Sequence, residues 1–392
     1  MIFFKTSFVK HIMVVILTSI IALFLSLVTF QVPILNPIAR GVKNFSVTDM
    51  FFTIQNNITK ADTCQSIVIV DMTELHNRAD IGELLNSIYD LNPKTIGVDL
   101  IFEGVKDDFE GNVVLEQAVN RISPISIFAT KLTGYNKENK KFTGFTSSYF
   151  KDAINIQEGY VNLTDNMEKS MIRALSVERS TVFGKCKSFA SFIMEKSGYN
   201  TNAEPDITIN YSPIVYRVIP FDKVKENANY IKDKIVLVGA VNEEQDSHLT
   251  PLGKISGIEI QARSIHTMME HKSVIYIPTF LSIIIALLMC FVYELIISWI
   301  GQFVKSREIA MRTFLSESRI MLTIISLLYI SSITILSFLL FDVFNIYIDM
   351  VIVLLMFSIV GFSHRVLFAT INAYNYKKSS TKKTIKDRSA DS

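Results

Sequence analysis

The segment SIVIVD at residues 66–71 decides the fold, together with TIGVDLIF at residues 95–102 and KIVLVGA at residues 234–240. Each is a short apolar run rich in β-branched residues, which is typical of strands buried in a parallel sheet. All three are much shorter than the about 20 residues that a membrane-spanning helix needs. They therefore predict central strands of one water-soluble domain.

Helical patterns alternate with these strands. IGELLNSIYDL at residues 81–91 and GNVVLEQAVNRI at residues 111–122 carry apolar residues at helical spacing, and PISIFAT at residues 124–130 reads as a further strand. Because strand–helix–strand series form parallel sheets with helices on their faces, we predict an α/β fold, a three-layer domain with a mainly parallel sheet. Other predicted elements are strands, some antiparallel, at residues 160–166, 172–178 and 206–212, a helix at residues 187–198, and a loop or hairpin at residues 133–148.

Four longer apolar runs are predicted to cross a membrane as α-helices. They lie at residues 12–30, 277–300, 320–341 and 346–368. Glu294 is the one charged residue of the second run. Two interpretations of Glu294 remain open, since its side chain either reaches towards the cytoplasmic headgroups or contacts another helix.

The positions of Lys and Arg predict the orientation, because these residues collect on the cytoplasmic side of a membrane. They occur in residues 1–11, 301–319 and 369–392, which fall on one side of a membrane that is crossed four times. These segments are the predicted cytoplasmic N-terminus, basic loop and basic tail, and the tail is expected to attract anionic lipid. Residues 32–274 then form an exported domain, with one helix before it and three after it.

Composition excludes some classes of function. The 39 Lys and Arg nearly balance the 37 Asp and Glu, so the charge does not predict a nucleic-acid partner. Three cysteines are too few for a disulfide framework. Cys64 and Cys186 both fall in the exported domain, where a disulfide bond and two free thiols both remain open.

Three carboxylates, Asp71, Asp99 and Asp246, come at or just after predicted strands. Open α/β sheets place their ligand crevice at the carboxyl ends of the strands. These side chains therefore either converge to hold a cation, an amine or a polar ligand, or they cap helices and brace loops, as acidic residues after strands commonly do.

The sequence lacks the common signatures of catalysis. It contains neither G-x-G-x-x-G nor G-x-x-x-x-G-K-[ST]. His266 and His271 are separated by four residues rather than by the three of a zinc-binding helix. We therefore predict a protein that is not an enzyme, with no cofactor and no metal.

A series of motifs runs through the exported domain in a fixed order, and together it resembles the type 2 CHASE domain. This family is an extracytoplasmic sensory domain associated with cyclases and histidine kinases in bacteria. The resemblance covers roughly residues 67–273, and the last of its blocks is the most specific. The matching segments are IVIVDMTE (67–74), TIGVDLIFEGVKDD (95–108), GYVNL (159–163), MIRAL (171–175), SFA (188–190), INYSP (209–213) and KIVLVGAVNEEQDSHLTPLGKISGIEIQA (234–262).

The resemblance implies a sensor in a bacterial cytoplasmic (inner) membrane, with the domain on the periplasmic or extracellular side. It adds Thr250, which lies in the same block as Asp246, to Asp71 and Asp99 as expected ligand-binding residues. The resemblance does not identify the ligand, and the domain is expected to bind either a small ligand or an envelope protein.

Family members usually continue into a kinase or cyclase domain, whereas only residues 369–392 follow the fourth predicted span. We therefore expect signalling through a separate cytoplasmic or membrane partner and, by analogy with receptors, a homodimer. Two alternatives remain open: a scaffold of an envelope complex that senses nothing, and an envelope hydrolase.

Overall fold

The computed structural model describes residues 2–31, 46–163, 171–200, 205–243, 246–305 and 319–390. Most of the predicted basic loop and the end of the strand predicted at residues 160–166 lie outside these ranges. The chain forms two compact units. The outer unit is Thr48–Ile275, and the membrane unit combines Met1–Val47 with Tyr276–Ser392.

The helices are numbered in chain order as α1 (Ile2–Gln31), α2 (Val47–Ile58), α3 (Arg78–Asp90), α4 (Phe109–Ile122), α5 (Phe150–Ile154), α6 (Phe189–Lys196), α7 (Ala228–Ile231), α8 (Gly257–Met269), α9 (Thr279–Lys305), α10 (Arg319–Phe344) and α11 (Met350–Ala390).

The strands are β1 (Asp62–Asp71), β2 (Thr95–Val98), β3 (Ser126–Asn136), β4 (Lys141–Thr146), β5 (Glu158–Tyr160), β6 (Ala174–Ser176), β7 (Glu178–Thr181), β8 (Gly184–Lys187), β9 (Asp206–Thr208), β10 (Ile214–Pro220), β11 (Ile235–Gly239), β12 (Ser247–Thr250), β13 (Gly253–Ser256), β14 (Ile275–Tyr276) and β15 (Ile346–Tyr347).

A nine-stranded sheet organises the described part of the outer unit, in the order β10-β1-β11-β2-β3-β4-β7-β8, with β5 also beside β3. The pairs from β10 to β3 are parallel. The β3–β4 and β7–β8 pairs are antiparallel hairpins. The predicted α/β fold with a mainly parallel sheet and some antiparallel strands is therefore confirmed.

Helices cover both faces of the parallel strands. Successive side chains of a strand point to opposite faces, and here both sets of side chains are apolar. Val68 and Val70 of β1 belong to a core that also contains apolar residues of α3 and α4. On the other face α6 packs closely, and a Cβ at Gly97 of β2 would lie only 2.6 Å from Ile193 Cδ1. Burial on both faces explains why these strands read as continuous apolar runs.

The strand predicted at residues 95–102 is shorter in the structure, where β2 ends at Val98. Its neighbour β11 ends at Gly239, opposite this point, so the ladder has no further partner on that side. The apolar residues beyond Val98 pack in a loop instead. Phe102, for example, is buried edge-on against the ring of Phe150, 5.7 Å away. Hydrophobicity alone cannot distinguish these two ways of burying the same segment.

The membrane unit contains four helices that are long and apolar enough to cross a membrane, as the sequence predicts. The candidate spans are Phe8–Leu27, Thr279–Ile300, Thr323–Phe344 and Met350–Tyr374. Asp349 precedes the last helix and caps it, since its carboxylate accepts a hydrogen bond from the Val351 backbone N–H at 3.0 Å. Helix α11 then continues to Ala390, through most of the predicted tail, where lysines are favourable helix formers.

Candidate functional site

The carboxyl ends of β1, β11 and β2 meet at one edge of the sheet. Asp71, the last residue of β1, pairs in register with Gly239 of β11. Asp99 directly follows β2, and its backbone N–H donates to Val238 O at 2.8 Å. The two acids therefore flank the end of β11 on opposite sides, as the sequence predicts for residues at strand ends.

Asp71 braces loops. Its Oδ1 atom accepts hydrogen bonds from the Thr73 N–H at 3.0 Å, the Thr73 hydroxyl at 2.5 Å and the Val241 N–H at 3.2 Å. Its Oδ2 atom accepts from Asn242 Nδ2 at 3.3 Å. The carboxylate thus ties the loop after β1 to the loop after β11, and its lone pairs are largely used by the protein.

Asp99 is different, because no described residue donates a hydrogen bond to its carboxyl group. Burial, followed by the nearby Asp246 carboxylate, raises the pKa of Asp99 to about 7, and His248 partly opposes this shift. Part of the residue stays exposed to solvent. The carboxyl group therefore holds a proton more readily than an ordinary aspartate and can exchange it for a cation or a hydrogen-bonding ligand.

The side chain of Asp246, which precedes β12, packs against the first residue of α8 and lies close to Asp99. Its Oδ1 atom is 3.3 Å from His248 Nε2, and a Cβ at Gly257 would lie 2.6 Å from its Oδ2 atom. Gly257 is the first residue of α8, where the helix dipole favours negative charge. The N-cap residue Ser256 has a buried hydroxyl with no hydrogen-bond partner in the described part of the chain.

Gly239, at the end of β11, allows Asp99 and the start of α8 to approach each other closely. A Cβ at Gly239 would lie 2.7 Å from Ile258 Cδ1 of α8 and 3.2 Å from the Asp99 Cβ. Only a glycine lets the start of α8 approach the strand ends this closely. The structure thus brings Asp99 and Asp246 together, whereas Asp71 lies two strands away from Asp99 and is engaged elsewhere.

Thr250 does not join this cluster. It lies at the tip of the β12–β13 hairpin, where its hydroxyl donates to Gly253 O at 2.8 Å and accepts from the Leu252 N–H at 3.2 Å. Ser247, at the other end of β12, is about 10 Å away for a strand of this length. Thr250 is 1% exposed and its hydroxyl stabilises the turn, and its expected contact with a ligand stays a prediction.

An open cleft lies at the same edge, between the loops that follow β1 and β2. Its volume is about 360 Å³, within the range of small-molecule sites. The sequence does not predict it, because the loops that form its walls meet only once β1, β11 and β2 are paired in the sheet. It is lined by Met72, Leu75, His76, Arg78, Ile81, Leu100, Ile101, Phe102, Glu103 and Lys106.

Arg78, the first residue of α3, holds one wall of the cleft in place. Its Nη2 atom donates to Gly104 O at 2.7 Å, and its Nη1 atom donates to Asn112 Oδ1. Asn112 in turn accepts from the Lys106 N–H at 3.3 Å and donates to Lys106 O at 2.6 Å. The side chain is 4% exposed, and its buried Nε atom has no partner among the described residues.

Sequence reasoning missed Arg78. An arginine at the start of a predicted helix is usually a surface residue, and its burial depends on the 104–106 loop folding over it. The only local signal is its position, where a positive charge opposes the helix dipole and so has to be explained by another contact.

Comparison with known proteins identifies the outer unit. The profile of the CHASE2 domain matches residues 20–297, which is more than half of the chain. No curated protein and no solved structure matches the chain. CHASE2 is a sensory domain family, and four apolar helices accompany the domain. The chain therefore belongs to the CHASE2 family, as a membrane protein with an extracytoplasmic sensory domain.

Proposed function

We propose that this chain is a membrane-anchored sensor whose outer domain binds a small ligand at the carboxyl edge of its parallel sheet and signals through a separate protein. The domain acts as a binding module and not as an enzyme. Its ligand combines an apolar part with an anionic group. The cleft beside Arg78 and Lys106 is the observation that carries this proposal.

The lining of the cleft supports this class of ligand. Six of its ten lining residues are apolar, and three of the other four are histidine, arginine and lysine, against the single acid Glu103. Ligand sites of this size are mostly apolar with a few polar groups that fix orientation. Arginine and lysine are the side chains that pair with carboxylate or phosphate groups.

The loop between β2 and α4 is the element through which binding becomes a signal. It carries the Glu103–Lys106 wall of the cleft and begins with Asp99, and its hydrogen bonds to Arg78 hold it in the observed arrangement. A ligand shifts a two-state element only by its difference in affinity for the two states. An anionic group that accepts from Arg78 provides such a difference, because it competes with the loop carbonyl of Gly104 for the same donor, and Lys106 adds a further positive charge to the cleft.

Orientation and partners complete the proposal. The Lys-rich and Arg-rich segments at residues 1–11, 301–319 and 369–392 favour the cytoplasmic side of a bacterial inner membrane. The outer unit is then periplasmic or extracellular. The signal passes through the membrane helices to a separate cytoplasmic or membrane partner, and the chain acts as a homodimer.

The experiment measures ligand binding to the full-length protein in lipid nanodiscs. Thermal shifts are recorded with a panel of anionic, cationic and neutral small molecules that each carry an apolar part. We expect anionic compounds to raise the unfolding temperature, and Lys106→Gln to remove that shift. Lys131→Gln, an exposed lysine on β3, is the matched control. The proposal fails if no anionic compound binds or if both variants respond alike.

A scaffold in an envelope complex is the second candidate, and one feature favours it. Strand β10 is the edge of the described sheet, with Val215 and Val218 exposed. An open edge strand can pair with a strand of another chain. If the intact protein co-purifies with an envelope assembly from its native membrane while the panel gives no binding, the scaffold replaces the sensor.

An enzymatic role is the third candidate. Hydrolysis of envelope material that is lost in both Asp71→Asn and Asp246→Asn would overturn the two binding proposals together.

A further inference from the structure

A buried carboxylate lies among the helices of the membrane unit. Only 2% of the Glu294 side chain on α9 is exposed. Its Oε2 atom is 2.7 Å from His364 Nδ1 of α11 and 3.4 Å from His11 Nδ1 of α1. Of the two interpretations that the sequence leaves open, the structure therefore selects the contact with other helices.

The cost of burying charge makes this cluster dependent on protons. A carboxylate inside membrane helices is expensive unless it is paired or protonated. Histidine is the side chain that changes its charge between about pH 5 and about pH 8. With one imidazolium beside Glu294 the cluster is neutral overall, whereas two neutral imidazoles leave an uncompensated carboxylate between the helices.

The members of the cluster differ in how far the protein covers them. His364 keeps 33% of its side chain uncovered by the protein, against only 6% for the His11 side chain. His364 also stacks on Phe368, with ring centroids 4.3 Å apart, which fixes the orientation of its imidazole. His364 is therefore the outermost of the three groups, whereas Glu294 and His11 are enclosed by the helices.

Other ionisable groups lie near the cluster, on its own helices and on α10. The Tyr293 hydroxyl shares a hydrogen bond with Ser326, and the Tyr329 hydroxyl donates to Met289 O. Cys290 lies one helical turn before Glu294 and is buried. Two cations lie near the cluster in sequence: Lys10 Nζ is 5.8 Å from the centre of the Phe368 ring, and Arg365 Nε donates to Gly361 O.

We propose that His11, Glu294 and His364 form an intramembrane proton-binding site that ties α1 and α11 to α9. With a proton on one of the histidines, the ion pair holds the three helices together. As the pH rises and the histidines lose their charge, the carboxylate is left unpaired and the helices separate or repack. Because α1 precedes the sensory domain and α9 follows it, the site controls the packing of the two helices that flank this domain in the chain.

The test uses the full-length protein in nanodiscs, with a metal chelator present. The chain has only 6 histidines, so ¹⁵N-histidine NMR can follow each imidazole between about pH 5 and about pH 8. Glu294→Gln should shift the ¹⁵Nδ1 signal of His364, because it replaces the carboxylate whose Oε2 atom lies 2.7 Å from this nitrogen. Ser363→Ala, at a buried residue of α11 whose hydroxyl donates to Ile359 O of its own helix, should leave that signal unchanged.

A second measurement covers the case in which Glu294→Gln does not fold. The separation of α1 and α11 is measured with spin labels in His11→Gln and His364→Gln, which keep a hydrogen-bond donor but cannot be protonated in this range. We expect the separation to change with pH in the wild type and to lose that dependence in His364→Gln. An unchanged His364 ¹⁵N signal in Glu294→Gln, or equal pH dependence of helix separation in all variants, would overturn the proposal. Neither result depends on ligand binding by the outer domain.

Discussion

The outer unit and the membrane unit each contain a cluster of carboxylates and histidines, arranged in opposite ways. In the outer unit Asp99 and Asp246 lie close together, and 45% of the Asp246 side chain is exposed to water. In the membrane unit the single acid Glu294 is buried between His11 and His364. Two like charges can be neighbours where water hydrates one of them, whereas a buried charge needs a partner of opposite sign.

The two clusters contain the same residue types but differ in burial and pairing, so residue type alone does not define the role of a site. Asp99 has no hydrogen-bond donor among the described residues and a raised pKa, so it is available to a proton, a cation or a ligand. Glu294 is already paired by the protein, so its cluster responds by changing helix packing. The following predictions test this contrast.

The largest effect is expected for Asp99→Asn. Since the folded state holds the pKa of Asp99 at about 7, above its ordinary value of 3.8, the wild type loses stability as the pH rises from about 4 to about 7. The variant should lack that loss, which amounts to about 2–4 kcal/mol after allowance for partial exposure. Native-state hydrogen exchange of β2 and β11 amides measures it. Asp222→Asn, an exposed acid, is the control, and parallel pH curves for wild type and Asp99→Asn would contradict the assignment.

Gly257→Ala is expected to break the outer cluster directly. Its Cβ would lie 2.6 Å from Asp246 Oδ2, so the carboxylate or the start of α8 has to move, at a cost of about 1–3 kcal/mol. The pKa of Asp99 should fall at the same time. Gly361→Ala in α11 is the matched control from the membrane unit, because its Cβ would contact nothing within 4 Å. Helix propensity favours alanine over glycine, so Gly361→Ala should not destabilise the protein, and equal destabilisation by both variants would contradict the role of the Asp246 contact.

Thr250→Val should weaken the β12–β13 turn without affecting the cluster. The variant loses the hydrogen bonds to Gly253 O and from the Leu252 N–H, which together contribute about 1–2 kcal/mol. Hydrogen exchange in the hairpin should accelerate, while the pKa of Asp99 measured by ¹³C NMR stays at its wild-type value. A change in that pKa would show that Thr250 is coupled to the cluster of Asp99 and Asp246.

The smallest effect is expected for Asp246→Asn. Removing its charge should lower the pKa of Asp99 from about 7, but the value should stay above 3.8, because burial is the larger cause of the shift. Carboxyl ¹³C NMR follows the titration. Glu243→Gln changes an exposed acid of the same loop and should have no effect. If the two substitutions act equally, long-range charge and not the contact with Asp246 raises the pKa.

Much of the outer fold follows from local patterns. The apolar β-branched runs predict β1, β2 and β11, and helical spacing predicts α3 and α4. Two segments escaped prediction for different reasons. Strand β10 is partly exposed and pairs with β1, far away in the chain, so its pairing is not recorded in any window of neighbouring residues. Strands β12 and β13 pair with each other but have only four residues each, too few for a clear alternating pattern.

Some features of the candidate site could likewise be predicted from the sequence, and others could not. That acids stand at the strand ends is visible in the sequence, because strand ends and ligand crevices coincide in α/β sheets. Which acid is free is not visible: Asp71 is bonded to Val241 and Asn242, about 170 residues further along. The cleft and the burial of Arg78 likewise arise from loops packing on one another.

The four long helices and the central strands could be predicted from the sequence, because length and hydropathy are local properties of the chain. Only the tertiary structure decided the state of the individual charges. Glu294 and His364 are 70 residues apart, and Glu294 and His11 are 283 residues apart, yet they share one buried contact. The energy of a charge depends on its surroundings in space, and folding alone brings those surroundings together.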